Sequence, residues 1–139
     1  MCLLKIFCLS VVLLLVSVSC MPYVERDGNT IVYHNAAASL YLDEDVIPKP
    51  TRSHKNVRLF LSPSKHRCLR LGVVEARGNG LASFDSCVAV AKRKAAEVGA
   101  DFIVLSDRGV SKELSYTSEI VRPWAHFTAW VYLDPQSNN

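Results

Sequence analysis

The spacing of apolar positions changes along this chain, and each change marks an element. An unbroken apolar run, Ile6 to Val18, follows a single cation, Lys5, and ends at Ser19-Cys20. Residues 20–56 have no sustained period. Within them Asp27-Gly28-Asn29 is a turn signal before Thr30-Ile31-Val32-Tyr33, a short strand pattern, and Pro48-Lys49-Pro50 excludes helix. From Val57 the pattern is that of a packed domain. Val57 to Leu61 reads as a strand stopped by Ser62-Pro63, and Cys68 to Ala76 as a second, broken at Gly78-Asn79-Gly80. Phe84, Cys87, Val88, Ala91, Ala95 and Val98 then recur at the spacing of one helical face, with Ser83 as N-cap and Gly99 as the stop. Phe102 to Leu105 is a short apolar run, as in a central strand. Val110 to Pro123 reads as a loop with a hairpin near Tyr116. Ala125 to Leu133 alternates: Ala125, Phe127, Ala129, Val131 and Leu133 share one face, and His126, Thr128, Trp130 and Tyr132 the other.

These elements predict an α+β domain: a small two-layer sandwich, one main helix packed on a mixed sheet of about four strands. The strands at Val73 and Ile103, joined through the helix, should run parallel with a right-handed crossover. The expected boundaries are a signal peptide at 1–19, a poorly structured arm or tether at 20–56, the α+β domain at 57–135 and a tail at 136–139. Part of the arm is open to docking on the domain.

The first run sets the compartment. A cation, a short apolar stretch and a small-residue cleavage site are the three parts of a secretory signal. The stretch falls short of the about 20 residues that span a bilayer. Ser17-Val18-Ser19-Cys20 resembles a bacterial lipobox, with Ser17 where Leu or Val is usual. That resemblance implies lipidation of Cys20 and a membrane anchor made of acyl chains, palmitate among them. The alternative is ordinary cleavage at Ser19 and a soluble exported protein. Met21 is not the aspartate that retains enteric lipoproteins in the inner membrane. The expected site is therefore the outer membrane, facing the periplasm.

Charge narrows the partners. The whole chain carries a net +3, and its longest basic block is Lys92-Arg93-Lys94, on the outer side of the predicted helix. Nucleic-acid binding needs cations clustered along one surface, so no nucleic-acid partner is expected. Of five cysteines, Cys2 and Cys8 leave with the leader and Cys20 takes the lipid. Cys68 and Cys87 remain, an even pair in an oxidising compartment, which suggests one disulfide. Geometry opposes it: a straight strand from Cys68 to Ala76 rises roughly 26 Å before the helix begins. Two buried free thiols are the other reading.

Leu69-Arg70-Leu71-Gly72-Val73-Val74-Glu75-Ala76-Arg77-Gly78, followed by Ala91-Lys92-Arg93-Lys94-Ala95-Ala96-Glu97-Val98-Gly99-Ala100-Asp101 and the apolar run to Leu105, resembles small bacterial envelope lipoproteins of the Rcs stress-sensor type. The likeness covers Cys68 to Leu105. It implies a lipid-anchored envelope protein with an interaction or stress-sensing role. The Rcs sensor has two disulfides, and this domain has cysteines for one at most.

Catalytic patterns are missing from the sequence. His34, His54, His66 and His126 stand at no metal-ligand spacing, Gly78-Asn79-Gly80 does not fit a phosphate loop, and no Gly-x-Ser-x-Gly or Cys-x-x-Cys occurs. No cofactor, metal or enzymatic activity is expected. The candidate partner surface is aromatic: Trp124, Trp130 and Tyr132, in or beside the last strand, with the arm or loop 110–123 expected to cover them. The second functional reading is a secreted or periplasmic module that binds a small ligand or metal on the open sheet face.

Overall fold

A computed structural model describes residues 24–133. The leader at 1–19, Cys20 and the tail at 136–139 lie outside the described residues. The described chain is α+β: one helix packs on a mixed sheet. That sheet has seven strands rather than about four. They are β1 (Val24–Asp27), β2 (Thr30–Tyr33), β3 (Ala36–Leu42), β4 (Arg58–Phe60), β5 (Cys68–Gly78), β6 (Phe102–Leu114) and β7 (Glu119–Tyr132), with α1 (Phe84–Glu97) between β5 and β6. Their order across the sheet is β1-β2-β3-β5-β7-β6-β4. Only β4 and β6 pair in parallel; every other neighbouring pair is antiparallel. β5 and β6 both run antiparallel to β7 between them, so the strands at Val73 and Ile103 do point the same way.

The additional strands come from stretches with weak β signals. Residues 24–42, within the segment read as an arm, form β1, β2 and β3. Alanines dominate β3, yet Ala36, Ala38 and Leu40 are buried at alternate positions, and Tyr33 turns into β3 through His34 and Asn35, both at positive φ. Residues 43–53 hold no strand or helix before a 3-10 turn, His54–Asn56. Pro48-Lys49-Pro50 lies against the end of α1: Lys49 N–H donates to the Val98 carbonyl at 3.1 Å and Arg52 N–H to the Ala96 carbonyl at 2.8 Å. These bonds satisfy carbonyls that a helix end otherwise leaves open.

The loop expected at 110–123 is the distal part of a long hairpin. β6 and β7 pair from Phe102↔Trp130 out to Leu114↔Glu119, with the turn around Tyr116 as expected. A register shift between Leu105 and Asp107 lets the strand pass through Asp107-Arg108-Gly109, which reads as a turn.

The core lies between α1 and one face of the sheet. Ser83 caps the helix: its Oγ accepts from Ser86 N–H, and the Ser86 side chain returns to the Ser83 N–H. Cys87, Val90, Ala91 and Ala95 pack on Val74, Ala76, Phe127 and Ala129, all fully buried. Small residues on both sides bring the helix close to the sheet. At Gly72 a Cβ would stand 2.2 Å from the Tyr41 carbonyl oxygen, so β3 and β5 pass there only because glycine has none. Leu133, expected on the core face, lies past the end of β7 and is exposed.

Candidate functional site: the open sheet face and an adjoining cleft

The alternation of β7 fixes what the far face carries. Ala125, Phe127, Ala129 and Val131 are buried toward α1, so Trp124, His126, Thr128, Trp130 and Tyr132 project from the opposite face. Register adds their neighbours. Across β5 and β7 the pairs are Arg77↔Trp124, Glu75↔His126, Val73↔Thr128, Arg70↔Trp130 and Cys68↔Tyr132.

The three aromatics of the expected partner surface do not form one patch. Trp130 and Tyr132 join Phe102 and Phe60 at one end. Phe102 lies parallel to the Trp130 ring at 6.3 Å between centroids, with Tyr132 at 4.9 Å and Phe60 edge-on at 5.3 Å. Trp130 Nε1 donates to Thr128 Oγ1 at 2.7 Å, so the ring's one polar atom is satisfied. His66 packs edge-on to Tyr132 at 6.1 Å. The cover at this end is therefore the segment between β4 and β5. It is neither the N-terminal stretch, which widens the sheet edgewise, nor 110–123, which extends it. Trp124 stands six residues along β7, roughly 20 Å away. Its ring lies against Gly109, where a Cβ would come within 2.7 Å of it, and it tilts toward His126 at 5.1 Å.

Between the two aromatic ends runs a polar row that is hidden in the sequence. His126 on β7 faces Glu75 on β5 and Asp107 on β6. Ser39 on β3 continues the row beside Glu75, and its hydroxyl is 2.7 Å from that of Thr30 on β2. The only signal available in advance was His126 sharing the polar face of the last strand. Among the described residues no group of three or more His, Cys, Asp or Glu could hold a metal ion.

Cys68 and Cys87 are both free, which corrects the expected disulfide. Cys68 opposes Tyr132 on the open face. Cys87 is buried on the other face, its thiol directed at the Pro123 carbonyl at 3.7 Å. Tyr132 and Pro123 are roughly 30 Å apart along β7, whereas a disulfide needs about 4.4–6.8 Å between Cα atoms. β5 continues from Cys68 through a register shift between Arg70 and Gly72 to Gly78, and the helix starts beyond that far end.

An apolar cleft of about 540 Å³ opens beside the start of α1. Arg108, Val110, Val121 and Pro123 of the hairpin and Ala82 and Phe84 of the helix entry line it. The Arg108 guanidinium stacks 4.7 Å from the Phe84 ring centre. The cleft's volume lies within the range of small-ligand sites, and it is an open groove rather than an enclosed pocket.

Neither protein-family models, curated proteins nor solved structures yield a match to this chain. Among the described residues no helix is long and apolar enough to cross a membrane.

Proposed function

We propose that this chain is a membrane-anchored cell-envelope lipoprotein, non-enzymatic, held by acyl chains on Cys20. Its domain presents the open face of the sheet to a protein partner, in an interaction or stress-sensing role. The outer membrane, facing the periplasm, is its proposed site. The observation that carries the reading is the uncovered middle of that face. Among the described residues the seven-stranded sheet bears a helix on one side only, and its other side shows Trp124, His126, Glu75 and Asp107 side by side. Aromatic side chains next to hydrogen-bonding groups on a flat surface are typical of protein-binding patches. The leader supports the compartment and the anchor.

Photo-crosslinking in living bacteria tests it. A photoreactive amino acid replaces Glu75 on the open face in one strain and Asp85, exposed at the start of α1, in another. A discrete adduct from position 75 and none from 85 is expected. Adducts from position 85 alone would contradict the reading. The small-ligand alternative is favoured by the cleft. A silent position 75 together with ligand-dependent labelling next to Phe84 would move the assignment there.

A further inference from the structure

The end of the sheet where the chain enters is also the end where the hairpin leaves it. Register links the two in one transverse row: Val24↔Tyr33, Tyr33↔Ala36 and Ala36↔Gly78, with Arg77↔Trp124 and Gly109↔Trp124 one step behind. Beyond that row the β5 ladder stops, and β6 and β7 continue alone from Val110↔Pro123 to Leu114↔Glu119. These five residue pairs carry the two-stranded ribbon four steps, roughly 14 Å, outward. Cys20 precedes Val24 by the same four residues, which span at most ~14 Å when extended.

We infer that the hairpin tip, residues 114–118, is a second membrane contact that lies in the interface of the bilayer to which Cys20 is anchored. The inference rests on the lipoprotein reading above. The ribbon's chemistry suits the place. Its tip, Leu114-Ser115-Tyr116-Thr117-Ser118, has no charge, and Leu114 (87 % exposed) and Tyr116 are held out in solvent. Tyrosine is enriched at membrane interfaces because its ring is apolar and its hydroxyl is wet. The four charges of the stem are paired across the strands, Lys112 with Glu119 at 2.7 Å and Arg122 with Glu113 at 2.8 Å, so the ribbon presents no net negative charge to an anionic surface. Leu81, exposed in the turn before α1, stands at the same end. Several acyl chains on Cys20 would by themselves hold the domain at the membrane. What the tip supplies is orientation, because a contact away from the anchor stops the domain from rotating about its lipid. Sheet twist of about 20–25° per strand accumulates over the four steps from β1 to β7 to roughly 80–100°, so the ribbon lies along the bilayer surface and meets it with its flank and tip.

The test uses the full chain, processed in bacteria, in vesicles of phosphatidylethanolamine and phosphatidylglycerol with brominated acyl chains. Leu114→Trp places a reporter at the tip. Ile47→Trp places one at the opposite end, in the exposed turn between Asp43 and Lys49. Both sites are solvent-exposed, so neither substitution disturbs the core. Fluorescence added over the wild type should be quenched and blue-shifted for Leu114→Trp and unquenched for Ile47→Trp. Equal quenching at both positions, or quenching only at 47, overturns the orientation. Flotation with the vesicles and the N-terminal mass are read on the same samples. A protein that neither floats nor carries acyl groups overturns the anchor and the inference together. One that floats without quenching at 114 overturns the inference alone.

Discussion

At the scale of the residue, Cys87 is a titratable group taken out of water. It is fully buried, and burial pushes its thiol pKa up from the ordinary 9.0. Above pH 9.0 the unfolded thiol ionises while the folded one stays neutral. Unfolding then releases a proton, and stability falls as pH rises. Denaturant titrations from neutral pH to pH 10 should show that loss in the wild type and a flatter profile in Cys87→Ala. Thiol counting on unfolded, unreduced protein should give two from the domain, Cys68 and Cys87; none would restore the disulfide. Pairing by count and compartment suggested a bond, against the geometry of a strand that begins at Cys68 and ends before the helix carrying Cys87. The climb from Cys68 to Ala76 was legible, and it pointed the right way. His126 was less legible. Its neighbours Glu75 and Asp107 come from two other strands, and only register brings them together.

Among the elements, those with strong local signals were readable. Ser83 and Gly99 bound α1 because a cap needs a side-chain acceptor at one end and a positive φ at the other, here +77°. β3 was harder to see, since alanine is a poor strand former and its buried side chains pack under α1. The hairpin was hidden by Gly109 and Pro123. Both are tolerated: Gly109 makes room for Trp124, and Pro123 lies where β7 has lost β5 as a neighbour. One residue ties three elements together. Asp101 accepts from Tyr132 N–H at 2.8 Å and pairs with Arg52, whose own N–H bonds the end of α1. Asp101→Ala leaves the half-buried Tyr132 N–H without its acceptor and should cost about 1–3 kcal/mol in urea unfolding. Asp101→Asn keeps an acceptor and should cost distinctly less. Equal stability of Asp101→Ala and wild type would show that this junction contributes nothing.

For the whole molecule, width decides what is exposed. Seven strands at ~4.8 Å make a sheet roughly 29 Å across, while one helix is about 10 Å in diameter. The helix covers the part of one face nearest β2, β3, β5 and β7, and among the described residues the opposite face has cover only at its aromatic end. The spacing of apolar residues announced a helix on a sheet. It concealed the strand count, because β2 is short, β3 alternates alanines rather than large apolar residues, and the distal hairpin is mostly polar. The proposed function depends on this face being turned toward a partner by an anchor at Cys20, four residues before the first described strand. The mass of the mature N-terminus tests that most directly. Intact-protein and peptide mass spectrometry on material extracted from bacterial membranes should find Cys20 as the first residue, with a diacylglyceryl group on its sulfur and an acyl chain on its amine. An unmodified Cys20, or a mature chain that begins elsewhere, would contradict the account.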